Sequence, residues 1–418
     1  MNRGERLRLT IERPAAGGRM IARHEGAIVF VSGAIPGEVV EAEVEKIQRG
    51  TVWAGTRQVL EPSADRIDAP EGACGGSVFA HIAYERQRQI KSAIIEDAFR
   101  RIGRIPLESP VEVVASPIDG YRMRARLHVR NGRIGFFREG THSLCDAAST
   151  RQLREDTIGV IGRLERSLAD SPRPIVADIE VAENVDASQR AIHFELLPDA
   201  DPSGLAALAK VEGVTGASCA HPENPRTIEL FGSPLVADDI RGVTLTRHVR
   251  SFFQGNRHLI TSFVEQVLGH VVPGPLVDLY AGVGLFSLTA GAAGAAPVTA
   301  VEGDPFAVRD LKRNARLRQG DGEPATIVEL PVEKFAARSG DAIATVIVDP
   351  PRTGMSKEAL ARASAIGAPR FIYVSCDVAT LARDARALLD AGYRIDSMRA
   401  FDLFPNTAHV ETVIAFAK

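Results

Sequence analysis

Cys376 is the residue of this chain with the clearest capacity for chemistry. It follows the apolar run 371–374 within a Ser-Cys-Asp tripeptide. The end of a buried strand is where an α/β enzyme holds a nucleophile, because strand ends open onto the ligand crevice. A lone cysteine is more often a small core residue. Segments at 276–288, 347–354 and 401–412 favour the nucleophile, since each carries residues suited to the same kind of site.

The first of these segments joins a predicted strand to a predicted helix through a glycine-rich turn. Gly282 and Gly284 allow the backbone to turn tightly and to approach a ligand closely. The third glycine of a pyrophosphate-binding loop is missing, so the spacing favours a cofactor that carries a carboxylate, such as S-adenosylmethionine. Glu302 ends the next strand and can accept hydrogen bonds from ribose hydroxyls. The alternative is a glycine turn beside an ordinary surface glutamate.

The second and third segments suggest the reaction. Asp349 precedes two prolines that fix its loop, and Arg352 stands where N-methyltransferases carry an aromatic residue, which disfavours methylation of an exocyclic amine. Carbon 5 of a pyrimidine is a poor nucleophile until a thiolate adds to carbon 6. Cys376 can supply that thiolate by covalent catalysis. Glu411 is the best candidate for the base that removes the carbon 5 proton, with His409 as a second candidate, although either side chain can instead be structural.

Residues 250–418 contain the elements that must position these side chains. Continuous apolar strands alternate there with helical segments of 10–20 residues, a pattern typical of a doubly wound, mostly parallel sheet. The carboxyl ends of parallel strands meet at one edge. We therefore expect four side chains to surround one crevice, namely Asp278, Glu302, Asp349 and Cys376.

The N-terminal part of the chain is predicted to fold differently. Residues 5–60 contain short alternating strands separated by Gly and Pro turns, which indicates a five-stranded barrel. Such barrels bind oligonucleotides or simply pack against a neighbour. Residues 61–80 form a predicted linker, and the apolar spacing predicts one helix over 81–105.

An arginine-rich strand stands out in the middle region, residues 110–235. Arg122, Arg124 and Arg126 recur with period two, and Arg130 falls on the same face. Without acidic neighbours, such a row favours contact with RNA phosphates over a simple solvated face.

Composition restricts the remaining possibilities. The 418 residues carry a formal net charge of −3, and 45% are hydrophobic, which is ordinary for a globular chain of two or three domains. No apolar stretch reaches the roughly 18 residues that span a bilayer, and no signal peptide is visible. The four cysteines form no CxxC pair, so we expect a reduced, cytoplasmic protein without a disulfide framework.

Several motifs of the chain together resemble the RNA uracil-5 methyltransferases. They are DLYAGVGLFSL at 278–288, VDPPRTG at 348–354, SCD at 375–377 with TLARD at 380–384, FFQGN at 252–256 and FPNTAHVE at 404–411. The barrel, with GAIPGE at 33–38, resembles a TRAM domain, an RNA-binding module found on the members of this family that modify ribosomal RNA. The resemblance implies that Cys376 is the nucleophile and Glu411 the proton acceptor. It also implies S-adenosylmethionine contacts from Gln254, Tyr280, Glu302 and Asp349, beside the loop glycines Gly282 and Gly284.

The chain departs from this family's iron–sulfur site. Family members place cysteines in a C-x5-C-x2-C pattern with a distant fourth, whereas this chain has Asp68, Cys74 and Ser77, with Thr150 as the fourth. Cys145 lies five residues early. One thiolate cannot hold a four-ligand cluster, so we predict no iron–sulfur cluster and no other metal.

Two further departures lie in the predicted site. Leu285 replaces an asparagine that some members have near the cofactor, and Asp377 replaces a common asparagine.

The sequence thus predicts three units: a TRAM-like β-barrel over 1–62, a mixed α+β RNA-binding region over 63–250, and a Rossmann-like methyltransferase domain over 251–418. The predicted protein is a monomer that uses S-adenosylmethionine to methylate carbon 5 of a flipped-out uridine. Large-subunit (23S) ribosomal RNA is the favoured substrate, and transfer RNA is the alternative. A catalytically idle RNA-binding assembly factor and a small-molecule methyltransferase are competing functions.

Overall fold

The computed structural model describes residues 1–69, 74–169, 174–205, 211–317, 325–337 and 342–418. Residues 70–73 of the predicted linker lie outside this part. The described chain forms a closed barrel, a seven-stranded sheet, a two-stranded hairpin and an eight-stranded sheet. None of the described helices is long and apolar enough to cross a membrane.

The N-terminal barrel has five strands, as predicted. They are β1 Arg6–Pro14, β2 Met20–His24, β3 Ala27–Ser32, β4 Val39–Gln48 and β5 Thr51–Glu61, closed in the order β1-β2-β3-β5-β4. Alternate side chains point into the barrel, so Leu7, Leu9 and Ile11 are buried while their neighbours are exposed or half-buried. Closure leaves the barrel without an open sheet edge.

A helix follows the linker and begins later than the sequence predicted. Helix α1, Tyr84–Ala98, continues into a π-helical turn at Phe99–Gly103, where the backbone N–H of Ile105 donates to Phe99 O. The wider turn ends the regular helix before residue 105. A short strand, β6 Val113–Val114, comes next.

The middle region is a mostly antiparallel sheet covered by one helix. Its strands run in the order β13-β12-β11-β10-β7-β8-β9. Helix α2, Glu155–Ala169, packs its apolar side onto this sheet. The strands are β7 Arg124–Arg130, β8 Arg133–Phe137, β9 Leu144–Asp146, β10 Val176–Glu183, β11 Arg190–Leu196, β12 Gly216–His221 and β13 Asn224–Gly232, and the hairpin that follows is β14 Leu235–Ile240 with β15 Val243–His248.

The C-terminal sheet confirms the predicted doubly wound fold. Its strand order is β18-β17-β16-β19-β20-β22-β21-β6, parallel except that β22 runs antiparallel to both of its neighbours. The strands are β16 Leu276–Leu279, β17 Val298–Glu302, β18 Thr326–Glu329, β19 Thr345–Val348, β20 Arg370–Ser375, β21 Arg394–Phe401 and β22 Glu411–Ala417. The helices are α3 Ile260–Leu268, α4 Leu285–Ala292, α5 Pro305–Leu317, α6 Lys357–Ala365 and α7 Val378–Asp390.

Helix α1 packs against this C-terminal unit. The turn at its end contacts α7, where a side chain on Gly103 would come within 2.8 Å of Ala382 O. Strand β6 also pairs with β21 of the eight-stranded sheet. The boundaries proposed at residues 62 and 250 remain predictions. Strand β6, which precedes residue 250, nevertheless forms one edge of the eight-stranded sheet.

The prediction that the four cysteines are reduced is wrong for two of them. Cys74 and Cys145 form a disulfide, with Cα atoms 5.9 Å apart and a sequence separation of 71 residues. The strand pairing of β8 with β9 positions Cys145, and an isolated bridge between Cys74 and Arg138 brings the linker beside it. Spacing along the chain could not show this proximity, because it depends on the central sheet.

Candidate active site

Four predicted site residues lie at the carboxyl ends of neighbouring parallel strands. Tyr280 follows β16, Glu302 ends β17, Asp349 follows β19 and Cys376 follows β20. These strands are adjacent in the sheet, in the order β17-β16-β19-β20. The fold therefore brings the predicted cofactor residues and the predicted nucleophile to one edge, where open α/β sheets bind ligands.

The loop after β16 is shaped for close approach of a ligand. Gly282 and Gly284 have φ values of 57° and 98°, and Tyr280 adopts φ 65°, an uncommon conformation for a side chain of its size. A Cβ on Gly284 would lie 2.7 Å from the side chain of Leu288, so packing requires glycine there. A Cβ on Gly282 would meet nothing within 4 Å, which leaves open space directly over the loop.

Glu302 closes the other side of that space. One carboxylate oxygen accepts a hydrogen bond from the Gly282 N–H at 2.8 Å, and the other accepts from the N–H groups of Gly303 and Asp304 at 2.7 Å. These amides fix the carboxylate while leaving it lone pairs for ribose hydroxyls. The open cradle and the fixed acid thus fit S-adenosylmethionine, with Tyr280 and the loop glycines beside it.

The expectation that Asp278 surrounds the crevice is wrong, because this residue lies within β16, beneath the loop and away from its open surface. It is fully buried, and its carboxylate accepts from the Ser287 N–H at 2.9 Å, which ties β16 to the first turn of α4. Burial raises the pKa of Asp278 to about 7. Leu285 is also buried, in the apolar cluster of this face of the sheet.

Gln254 and Asp349 form one polar contact in the crevice. The Gln254 Nε2 donates to Asp349 Oδ2 at 3.0 Å, and Gln254 is only 4% exposed. Burial raises the pKa of Asp349 to about 7, and the nearby carboxylate of Asp278 acts in the same direction. The amide orients an acid that holds its proton near neutral pH.

Cys376 follows β20, the strand next to the one that Asp349 follows. Its side chain is half-buried, and burial raises the pKa of the thiol to about 12, with further contributions from Glu411 and Asp349. The guanidinium of Arg352 acts in the opposite direction. The next residue, Asp377, caps α7 by accepting from the N–H groups of Ala379 and Thr380, which accounts for an acid at this position.

Glu411 is the first residue of β22 and is 3% exposed. Burial, then the neighbouring Asp349, raises its pKa well above the ordinary value, while Arg352 opposes the rise. His409 has its pKa lowered to about 4 by burial and then by Arg352. A neutral imidazole is itself a competent base, but Glu411, unlike His409, is among the neighbours that act on the pKa of Cys376, together with Asp349 and Arg352.

The loop that carries Glu411 is held by a buried ion pair. Lys91 of α1 lies 2.5 Å from Asp402, both side chains are 0% exposed, and Lys91 also donates to Phe404 O at 3.1 Å. The sequence analysis missed this pair because Lys91 lies among the charges of α1. Its position beside Ile90, Ile94 and Ile95, all of which are buried, is the signal that places it inside.

Two further contacts fix the same loop from the N-terminal side. Gln87 exchanges hydrogen bonds with Asn406, donating to its Oδ1 and accepting from its backbone N–H, each at 2.9 Å. Gly18, in the turn between β1 and β2, lies so close to Ala408 that a Cβ there would be 2.6 Å away. The barrel and α1 therefore both contact the segment that leads to Glu411.

The prediction that the arginine row of β7 contacts RNA phosphates assumed that the row has no acidic neighbours, and this assumption is wrong. Arg124 forms an ion pair with Glu180, and Arg126 pairs with both Asp178 and Glu195. Asp178 and Glu180 lie on β10, which pairs with β7, and Glu195 lies on β11, the next strand beyond β10. The row has acidic neighbours, contrary to the expectation, because strand pairing supplied them from 52 to 69 residues away.

The other two arginines of the row are also engaged. Arg122 donates to Gln152 at 2.6 Å and lies over the ring of Phe136. Arg130 donates to backbone carbonyls and lies over Phe137. Most of the charge on this face is therefore used within the protein.

No group of three or more His, Cys, Asp or Glu side chains that could hold a metal occurs in the described part of the chain. Cys74, the one matching cluster position, is paired with Cys145. The absence of an iron–sulfur cluster remains a prediction.

Comparison with known proteins agrees with this geometry. Residues 339–418 match the family described as tRNA (Uracil-5-)-methyltransferase, and residues 1–54 match the TRAM domain. The 23S rRNA (uracil(1939)-C(5))-methyltransferase RlmD of Alkalilimnicola ehrlichii is 34% identical over 96% of this chain and 94% of its own length. The RlmD of Pseudomonas entomophila is 30% identical over 99% of this chain and 94% of its own.

Among solved structures, the Pyrococcus abyssi tRNA (uracil-54, C5)-methyltransferase in complex with S-adenosyl-L-homocysteine matches with a TM-score of 0.79. It is 23% identical, and the match covers 98% of this chain and 99% of that one. This likeness confirms the fold, while the full-length relatives show the family. The chain belongs to the S-adenosylmethionine-dependent RNA (uracil-C5)-methyltransferases, the family that its motifs predicted.

Proposed function

We propose that this enzyme makes 5-methyluridine in large-subunit ribosomal RNA through a covalent adduct on Cys376. The observation that carries the mechanism is the position of the half-buried Cys376 at the end of β20, on the same sheet edge as Tyr280, Glu302 and Asp349. The ribosomal substrate is supported by the relatives of nearly equal length, which are named for 23S rRNA.

The steps follow from the residues present. The Cys376 thiol releases its proton to solvent as its sulfur adds to carbon 6 of the uracil, and the electrons of the carbon 5–carbon 6 double bond move onto the ring carbonyl as an enolate. Bound S-adenosylmethionine would supply the methyl group to carbon 5 and would leave as S-adenosylhomocysteine. Glu411 acts in its ionised form, which the guanidinium of Arg352 favours against the effect of burial. It takes the proton from carbon 5, the double bond re-forms, and the sulfur–carbon 6 bond breaks to release the thiolate.

Asp349 and Gln254 are proposed to hold the base and the cofactor in this crevice. Asp349 is protonated below about pH 7, so it can donate a hydrogen bond to a uracil carbonyl. Tyr280, Gly282, Gly284 and Glu302 are the remaining proposed cofactor contacts. Because Glu411 is 3% exposed and Cys376 is half-buried, the target uridine is proposed to leave its stack to reach them.

The test uses S-adenosylmethionine with a labelled methyl group and, separately, unmodified large-subunit ribosomal RNA and transfer RNA. Transfer RNA is included because the matched family and the structural neighbour are both named for it. We expect label in 5-methyluridine from ribosomal RNA only. The Cys376→Ala variant should abolish it, whereas Cys219→Ala, at the other free cysteine, should retain it.

Label in transfer RNA alone would overturn the substrate assignment. Label that survives Cys376→Ala would overturn the mechanism. RNA binding without any methylation would favour the assembly-factor function.

We also infer that the protein is a monomer and that it acts in the cytoplasm. Light scattering after size-exclusion chromatography should give the mass of one 44.9 kDa chain.

A further inference from the structure

Helix α5 carries a basic surface that the mechanism does not use. Arg309, Lys312, Arg313 and Arg316 recur at helical spacing on one side, which we call the α5 basic face. Two adjoining clefts run along it, one ending at Leu317 and the other reaching Thr227 and Glu229 of β13. The surface therefore continues from the catalytic unit onto the central sheet.

Charge on this face is only partly neutralised. Lys312 pairs with Glu329, and Arg313 pairs with Asp310. Arg309 and Arg316 are exposed, and neither has a carboxylate partner among the residues that the structure describes. This contrasts with β7, where cross-strand acids pair with Arg124 and Arg126.

Neighbouring cations extend the face. Exposed Arg226 lines a third cleft that shares Thr227 and Glu229 with the second. Arg250 donates to Thr227 and lies 4.5 Å from the ring centre of Phe306, at the start of α5. Among the described residues, the carboxylates that line these clefts or pair with the α5 basic face are those of Glu229, Asp310 and Glu329.

A short stretch of chain connects this face to the crevice. Ser251 donates through its hydroxyl to Asp310 of α5 at 2.6 Å, and Gln254 donates to Asp349 in the active site at 3.0 Å. Three residues span at most about 11 Å between their Cα atoms. Phe252 lies between them and is 62% exposed, more than any other large aromatic side chain in the described chain.

We propose that the α5 basic face binds the phosphates of the RNA strand next to the target uridine, with a neighbouring base stacked on Phe252. The proposal rests on the proposed function, since it places the flank of that substrate. Phosphate is the matching chemistry because the face is rich in arginine, and exposed rings offer stacking to unpaired bases.

The test compares an Arg309→Gln/Arg316→Gln variant with a matched Lys357→Gln/Arg362→Gln control. The control makes the same change of charge on α6, whose residues pack into the opposite apolar cluster of the sheet. Binding of a labelled RNA that contains the target uridine is measured by fluorescence anisotropy from 50 to 300 mM salt. Two shorter RNAs are also tested: one lacks the nucleotides on the 5′ side of the uridine, and the other lacks those on its 3′ side.

We expect the α5 variant to bind the full RNA about tenfold more weakly, with a salt dependence shallower by roughly one to two phosphate contacts. KM for RNA should rise while kcat stays unchanged, and the control should match the wild type. One of the two truncated RNAs should bind both proteins alike, which identifies the flank that reaches α5. Phe252→Ala should weaken binding about tenfold without changing the salt dependence.

Equal affinity and equal salt dependence in wild type and α5 variant would overturn the proposal, as would a loss confined to kcat. If the wild type methylates no RNA, the proposed function fails, but the salt dependence still decides whether this face binds phosphate. An acidic peptide is tested in the same assay. If the wild type binds the peptide more tightly than the α5 variant does, while both proteins bind RNA equally well, the face binds a protein partner instead.

Discussion

Breaking the buried pair between Lys91 and Asp402 should reveal how the base-bearing loop is positioned. Both side chains are 0% exposed, and the amine and carboxylate lie 2.5 Å apart. Lys91→Met leaves a buried carboxylate without its partner, and Asp402→Leu leaves a buried amine. Removing one member of such a pair costs about 3–5 kcal/mol, because the remaining charge cannot reach water.

The double variant Lys91→Met/Asp402→Leu removes both charges. Its free energy of unfolding should return close to the wild-type value, or exceed it, since apolar side chains of similar size replace an ion pair that cost desolvation. Urea unfolding followed by circular dichroism measures all four proteins. Glu85→Gln, which breaks an exposed pair with Arg88 on the same helix, is the control and should cost less than about 1 kcal/mol.

Catalysis should not recover with stability. The double variant still lacks the Lys91 hydrogen bond to Phe404 O, so the loop leading to Glu411 is held less firmly. We expect kcat to fall about tenfold, with KM for RNA unchanged and a Cys376–RNA adduct accumulating, because proton removal follows adduct formation. Single variants that unfold at wild-type urea concentrations would refute the energetic reasoning. A double variant with wild-type kcat would refute the positioning role.

Three further predictions concern the titrating groups and the disulfide. Because the folded-state pKa of Asp349 is raised to about 7, the folded protein holds a proton that the unfolded chain releases near pH 4, so this acid costs stability as pH rises through that interval. Asp349→Asn should therefore raise the free energy of unfolding by about 1–4 kcal/mol at pH 7.5 and leave it unchanged at pH 4; an equal effect at both pH values would contradict the assignment. The rate of alkylation of Cys376 by iodoacetamide can be followed by peptide mass spectrometry. At pH 8 this rate should be about 10³-fold lower than that of a free thiol, and it should rise tenfold per pH unit up to pH 10. A plateau below pH 9 would show a lower thiol pKa. Reducing the Cys74–Cys145 disulfide should lower the free energy of unfolding by up to about 4 kcal/mol; a Cys74→Ser/Cys145→Ser variant insensitive to reductant is the control, and unchanged unfolding of the wild type on reduction would contradict the bond's role.

The catalytic sheet could be predicted because its signals are local. The runs ending at Asp349 and Cys376 are continuously apolar, as buried parallel strands require, and each ends in a polar residue at the crevice. Strand β21 was not predicted, because its residues are mostly exposed or half-buried and show no such run. Strand β2 was also not among the strands identified, although the predicted barrel required a fifth.

The remaining features depend on contacts between distant parts of the chain. The arginines of β7 gave a periodic pattern, but their partners Asp178 and Glu195 lie on strands whose pairing the sequence does not specify. Lys91 fitted the charged side of a helix until Asp402, 311 residues away, was placed beside it. In both cases composition indicated the charge correctly and topology decided whether that charge faces RNA or another side chain.

The same contacts show why the catalytic domain is not an independent unit. Cys376 is positioned by a strand and a capped helix, both within 251–418. Glu411, in contrast, follows a loop whose fixed points, Lys91 and Gln87, belong to α1, and whose Ala408 abuts the barrel. A fragment over the predicted domain 251–418 would retain the proposed nucleophile and the proposed cofactor loop but lose these supports for the proposed base. The N-terminal elements therefore help to assemble the candidate active site, in addition to any contact that they make with RNA.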